Sequence, residues 1–285
     1  MLLSDKDALT EEQRQEKLDE YRGFSFLDRN EDRTLKTWDA RKRALQTPVP
    51  ERFHQLGEED WKDVVTRYGG RKFYILGAGA SLLKNQDLDH LTGELVYGIN
   101  WTWDWFNPTF LQSVDRSPLD KGVVDVKDEV RQERERTTCL VANKDHADKV
   151  DGVWEGGLLW VRPTCEEAQL QEEPGGPVMP VANSLGVALQ VAYWFRPERI
   201  VLLGFDFGGA HFFGDGRSKG CNGHYGEPGT GHKQTVWPKL RFIRDELFER
   251  GIPIAQVGET ALDVFPGAEN MDHAINGDRE DFLWP

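Results

Sequence analysis

The turn Gly77-Ala78-Gly79-Ala80-Ser81 follows the apolar run FYIL and puts small residues where a backbone can approach a ligand closely. Its N–H groups, with the start of the segment behind it, can hold a phosphate or the edge of a ribose. It departs from the dinucleotide fingerprint, because Leu82 stands where the third glycine belongs. It also lacks the Gly-Lys-Ser/Thr that completes a Walker A loop. A tight turn with no ligand is the alternative reading of the same five residues.

Other polar residues follow other apolar runs in the same way. Asn100 follows LVYGI and precedes the aromatic group Trp101, Trp103 and Trp105. Asp115 and Arg116 follow TFLQSV, Asn143 follows TTCLVA, and Asp206 follows RIVLLGF. Tryptophan chiefly packs cores, but its face also stacks on sugars and bases. Asn183 and Ser184 open the apolar segment LGVALQVAYWF, either as helix caps or as ribose and phosphate binders at a helix N-terminus. A carboxylate at Asp206 suits a base, a hydroxyl binder or a cap for the next turn. Behind it residues 208–235 form a Gly-rich stretch that carries His211, Arg217, Lys219, His224, His232 and Lys233. So long a connection in a compact domain favours a functional lid over a plain polar loop. Its cations can neutralise a leaving phosphate, and its imidazoles can supply an acid or base.

Several chemistries are disfavoured. Cys221, His224 and His232 match no standard zinc spacing, and no fourth ligand is evident. No G-x-S-x-G nucleophile elbow occurs. Asp115, Asp120 and Asp125 fail the glycine and glutamate positions of an EF-hand loop.

The elements that must position these residues are legible as texture. FYILG, LVYGIN, TFLQSVD, TTCLVAN, RIVLLGFDF and IPIAQVG read as buried strands, with GVW and GLLWVRP as shorter, peripheral ones. LLKNQDLDHL reads as a helix or helix-like connection, and VANSLGVALQVAYWF as a helix apolar on nearly every face. WPKLRFIRDELFERG places Val236, Leu240, Ile243 and Leu247 on one stripe and stops at Gly251. Such alternation predicts an α/β, Rossmann-like fold, a mostly parallel sheet with helices on both faces. In open parallel sheets ligands bind beyond the carboxyl ends of the strands, where all the polar residues named above fall. Residues 71–285 are expected to form this catalytic domain. Residues 1–70 are charged and read as an N-terminal helical appendage: EEQRQEKLDEYR, TWDARKRAL and EEDWKDVVTRY.

Composition bounds the setting. With 285 residues, 38% hydrophobic and 29% charged, the chain suits one large globular domain. No apolar run approaches the roughly 20 residues that cross a membrane. The first residues lack the basic and apolar regions of a secretory signal. Cys139, Cys165 and Cys221 are too scattered for a disulfide framework, so a reducing, cytoplasmic setting is expected. The net charge of -14 repels polyanions and weighs against general nucleic-acid binding.

Taken in order, LGAGASL, ELVYGIN, PTFLQSVD, NSLGVALQVAYWFRPERIVLLGFDF and HFFGDG resemble the superfamily that joins 6-hydroxymethylpterin diphosphokinase-like proteins to bacterial sialyltransferases, with similar phage and prophage proteins. The resemblance covers about residues 72 to 265. It implies a metal-independent transferase, glycosyltransferase-like, with a nucleotide-sugar co-substrate and no tightly bound cofactor. Gly77, Gly79 and Ser81 would contact phosphate or ribose, Asn100 would lie beside the leaving group, and Asn183 and Ser184 would bind the nucleoside or sugar phosphate. Asp206 and the histidine after it, His211 by motif with His224 and His232 competing, would flank the reacting centre, with Asp115 a further catalytic candidate. The acceptor is left open by these residues, with a glycan or, if the chain is phage-encoded, a modified DNA base as candidates, and the host cytoplasm is the expected setting in that case. The diphosphokinase-like side of the resemblance implies ATP, magnesium and a small-molecule alcohol instead, with Asp115 and Asp206 as metal-ligand candidates. A non-catalytic nucleotide-binding module is the third reading. Ala80 stands where proline is common in the family's turn.

Overall fold

The computed structural model describes residues 57–58, 60–79, 81, 88–91, 94–104, 106, 108–126, 128–163, 170–178, 184–206, 231–258 and 264–282. The strands are β1 (Gly57–Glu58), β2 (Phe73–Leu76), β3 (Leu95–Ile99), β4 (Phe110–Ser113), β5 (Cys139–Asn143), β6 (Gly157–Pro163), β7 (Pro177–Val178), β8 (Ile200–Leu203), β9 (Ile254–Val257) and β10 (Gly267–Ala268). They pair in the order β1-β6-β5-β4-β3-β2-β8-β9-β10, with β7 attached to β6, and every pairing is parallel. The helices are α1 (Trp61–Tyr68), α2 (Arg116–Leu119), α3 (Asp128–Thr137), α4 (Ala147–Val150), α5 (Ser184–Trp194), α6 (Gly231–Glu249) and α7 (Met271–Asn276). This is an α/β, Rossmann-like fold.

Both sheet faces are covered, which is why the strands read as continuous apolar runs. Phe73, Ile75, Tyr97, Phe110, Val141, Ile200, Leu202 and Ile254 point to one face, under α1, α5 and α6. Tyr74, Leu76, Val96, Val201, Leu203 and Val257 point to the other, under α7 and the turn at Leu88–Leu91. Leu111, Leu140 and Ala142 lie further along that second face, against Leu119, Val123, Val150 and Trp154. The alternation is the period of two that a pleated strand imposes.

Helix α5 explains its own sequence. Ten of its eleven residues are buried, so an apolar stripe on one face alone would not serve it. Its far side is closed by Trp61 of α1, whose ring meets Trp194 edge-on at 5.0 Å, and by Gln171, which exchanges hydrogen bonds with the Gln190 amide. Each fully buried Leu or Val in such a helix stabilises the fold by about 1.5–3 kcal/mol.

The expected strands at FYIL, LVYGI, FLQS, CLVAN, IVLL and IAQV are present, and Val236, Leu240, Ile243 and Leu247 of α6 are fully buried as their stripe requires. Several details differ. GLLWVRP is the longest strand and is paired on both sides, while GVW is a turn held by the Trp154 indole on the Gly157 carbonyl. Helix α6 begins at Gly231, inside the stretch read as loop, with Pro238 within it. Proline reads as a first-turn residue because its missing N–H costs nothing there. Of LLKNQDLDHL, LDHL is a 3-10 turn and the rest lies outside the described residues. Of the expected N-terminal helices, α1 is described; it starts behind an Asp60 cap, and its Trp61, Val64 and Tyr68 enter the main core. The other two lie outside the described residues. Among the described residues no helix is long and apolar enough to cross a membrane.

Arg199 fastens the C-terminal helix to the sheet. It is 7% exposed, and its guanidinium donates to the carbonyls of Ala274 (2.8 Å) and Gly277 (2.6 Å) while lying over the Phe282 ring at 4.9 Å. A cation at a helix C-terminus also suits the helix dipole. Arg199→Ala is expected to cost about 2–3 kcal/mol through two charge-assisted bonds. Arg199→Lys should recover only part, since an ammonium lacks the planar fork. Urea unfolding checks this as a lower midpoint with an unchanged slope.

Candidate functional site

From β2 the chain proceeds through β3, β4, β5 and β6 to one side, then returns to place β8, β9 and β10 on the other. The order reverses between β2 and β8, and crevices at such reversals are where open α/β sheets bind ligands. Two polar groups stand at the carboxyl edge here, one on each side of β2.

The first group joins the glycine turn to Asp206. Leu76 is level with Leu203, so the residues after both strands run side by side. The N–H of Gly77 donates to the Leu203 carbonyl and that of Gly79 to the Gly204 carbonyl, both at 2.8 Å. Ser81 donates its N–H to Asp206 Oδ2 at 2.7 Å and its hydroxyl to Asp206 Oδ1. A carboxylate thus sits where the sequence suggests a bound phosphate. The glycines are required by this close approach. A Cβ on Gly77 would fall 2.4 Å from the Gly204 carbonyl oxygen, and one on Gly79 would fall 2.5 Å from Asp206 Cγ. Gln256 of β9, 1% exposed, donates to the Phe205 carbonyl at 3.1 Å and so fixes the backbone that carries Asp206.

The second group brings Asn100, Asp115 and Ser184 together from three elements. Ser184, the first residue of α5, gives its hydroxyl to Asp115 Oδ2 at 2.8 Å. The Asn100 amide nitrogen reaches Asp115 Oδ2 and Ser184 Oγ, each at 3.3 Å. Asp115 is exposed, and its own carbonyl accepts the Leu119 N–H that opens α2. Asn100 has φ 53°, a left-handed conformation that asparagine tolerates better than most residues and that recurs at functional sites. Its Oδ1 is buried with no hydrogen-bond partner.

Three supporting residues escape a reading based on apolar runs. Gln112, fully buried in β4, donates to the Ser184 carbonyl at 2.8 Å and accepts from the Tyr97 hydroxyl at 3.0 Å. Burial holds the Tyr97 phenol well above its ordinary pKa, so the hydroxyl stays a donor. Thr102, also fully buried, has its hydroxyl within hydrogen-bond reach of the Leu76 and Ile99 carbonyls, which compete for its one proton, and accepts from the Ile99 N–H, so it joins the ends of β2 and β3. The available sign was a Gln inside FLQS, a strand with no exposed face to take it.

The other expected residues fall as follows. Asn143 accepts from the Asp145 N–H and caps the turn at Lys144–His146. Trp101 is partly buried beside Asn100, whereas the side chains of Trp103 and Trp105 lie outside the described residues. Asn183, His211, Arg217, Lys219 and His224 lie outside them as well. His232 and Lys233 fall in the first turn of α6, with side chains outside the description. Among the described residues no three His, Cys, Asp or Glu side chains gather as a metal site, and Asp115 and Asp206 each accept a serine hydroxyl. A small cleft lined by Arg244, Asp245, Phe248, Ile252 and Phe282 lies at the start of β9, the opposite edge of the sheet. Arg244 and Asp245 there are already paired at 2.6 Å.

Compared with known proteins, the chain matches no protein-family model and no curated protein sequence.

Proposed function

We propose that this chain is a transferase that binds a nucleotide-linked substrate across the carboxyl edge of β2, β3, β4 and β8, with a nucleotide sugar as the donor. The observation that carries the reading is the convergence of Asn100, Asp115 and Ser184 from three elements at the carboxyl ends of β3 and β4. Structural capping needs no such convergence: Ser184 spends its hydroxyl on a carboxylate 69 residues away instead of on its own helix. The strained Asn100 and its orphaned oxygen add to the case, since buried polar groups are ordinarily satisfied. In this reading Asp115 serves the acceptor or donor hydroxyl, Asp206 shapes the glycine turn, and His211 supplies the acid or base. Transfer needs no resident cofactor. The acceptor is a hydroxyl of a glycan or of a modified base.

A thermal-shift panel of nucleotides and nucleotide sugars, each with magnesium or with excess chelator, tests it. A nucleotide sugar present at about 100 times its dissociation constant is expected to stabilise the chain by about 2.7 kcal/mol with or without chelator. Stabilisation by ATP alone, lost with chelator, would replace this reading by the diphosphokinase-like one. No shift with any member of the panel would remove both.

A further inference from the structure

We propose that Asn100, Asp115 and Ser184 form a subsite for a hydroxyl of the substrate, on its ribose or its transferred sugar, and that the phosphate lies elsewhere. This rests on the nucleotide-sugar reading above and specifies which part of such a molecule meets these three residues.

Which groups donate and which accept decides what the cluster can hold. A carboxylate accepts and cannot donate, so the Asn100 amide must turn its nitrogen toward Asp115, as it does at 3.3 Å. The same nitrogen faces Ser184 Oγ, and the single Ser184 hydroxyl proton goes to Asp115 Oδ2. The side-chain donors that face one another in the group are thereby used within it. What remains is acceptor capacity: Asn100 Oδ1, buried and unpartnered, and the second oxygen of the exposed Asp115. Side chains left with acceptor capacity, one of them a carboxylate, complement an O–H donor better than a phosphate. Asp115 meets the ligand from solvent. Asn100 Oδ1, in the same cluster, is buried with no hydrogen-bond partner, which buried polar groups ordinarily have.

The geometry also has a rigid base. Gln112 holds the Ser184 carbonyl from below and is itself held by Tyr97, so the serine cannot drift from Asp115 without breaking a buried bond. A hydroxyl subsite needs such fixing, because discrimination between a substrate and its deoxy analogue comes from leaving placed polar groups unpaired.

The test measures dissociation constants of the full chain for CMP, UDP and GDP, for their 2′,3′-dideoxy forms, and for CMP-, UDP- and GDP-sugars. It is repeated on Asp115→Asn and, as a second variant that does not place an amide against Asn100, on Asp115→Ser. If the hydroxyl belongs to the ribose, the wild-type chain binds a ribonucleotide roughly 10- to 100-fold more tightly than its dideoxy form, as a bond to a charged acceptor provides, and both variants reduce the ratio to within about threefold. If it belongs to the transferred sugar, the ribose and dideoxy forms bind alike. The sugar then adds about tenfold or more over the bare nucleotide, and both variants erase that gain. Either outcome supports the subsite and tells its two sources apart. Nucleotide binding with neither preference in the wild-type chain, or with preferences that both variants keep, overturns the subsite while the nucleotide reading stands. Absence of binding by every compound overturns the nucleotide reading and the subsite with it. Each comparison is a ratio within one folded protein, so a change in stability does not imitate the result.

Discussion

Replacing Gly79 with alanine is expected to lower stability by about 3 kcal/mol or more, an unusually large effect for one exchange of hydrogen for methyl. The new Cβ would stand 2.5 Å from Cγ and Oδ1 of Asp206 and 2.7 Å from the Gly204 carbonyl oxygen. Overpacking alone costs about 1–3 kcal/mol. Here the displaced group is a carboxylate that accepts both the N–H and the hydroxyl of Ser81, so the methyl also breaks charge-assisted bonds of about 1.5–3 kcal/mol. Gly77→Ala meets backbone instead, 2.4 Å from the Gly204 carbonyl oxygen, and should be at least as damaging. The two are separable. In an Asp206→Ala background the Gly79→Ala cost should fall by about 1 kcal/mol or more, because one cause has been removed, while the clash with Gly204 persists. Equilibrium urea unfolding of the four proteins measures this. A Gly79→Ala cost below about 1 kcal/mol would mean that the β2 and β8 turns do not hold each other as described.

That the glycines serve the neighbouring turn was not legible in GAGAS. Small residues after a buried strand mark a close approach, and the sequence cannot tell whether a ligand or the chain itself approaches. The partner, Asp206, is 125 residues away from Ser81. The sheet was more transparent, because a strand buried on both faces must be apolar throughout, and FYIL, IVLL and IAQV have few other uses. The region between β4 and β5 was opaque for the opposite reason. Helix α3, DEVRQERERT, offers almost no apolar residue to mark a period, yet its Arg134 and Glu135 are buried and Glu135 accepts the Glu155 N–H at 3.0 Å. Strands β1, β7 and β10 have two residues each, too few for alternation to register. The carboxyl-edge residues Asn100, Asp115 and Ser184 could be nominated one by one from parallel-sheet geometry. Their mutual contact could not, since it depends on where α5 returns.

Gln112→Leu is expected to cost about 2–4 kcal/mol, although leucine is the more apolar residue and the site is fully buried. The loss is not of packing. It leaves the Tyr97 hydroxyl, itself in the core, without the acceptor it has at 3.0 Å, and the Ser184 carbonyl without the amide at 2.8 Å. An unsatisfied buried group costs about 1–3 kcal/mol, whereas removing both partners together can be nearly neutral. Tyr97→Phe in the Gln112→Leu background should therefore restore about 1 kcal/mol or more, and the double-mutant cycle gives the coupling. The cycle has a pH arm with a definite sign. Burial raises the Tyr97 pKa well above 10, so the folded state keeps the proton that the unfolded chain releases at ordinary phenol pKa. The associated stability is fully present below about pH 10 and falls as the pH rises through the range between the unfolded and folded values. Tyr68 and Tyr74 are raised by burial in the same direction, so the wild-type decline is a sum, and Tyr97→Phe should make it shallower without abolishing it. A slope unchanged by Tyr97→Phe, together with additive costs at neutral pH, would mean that the buried bond does not couple these residues. In that case Gln112 would not be what holds the start of α5 against Asp115.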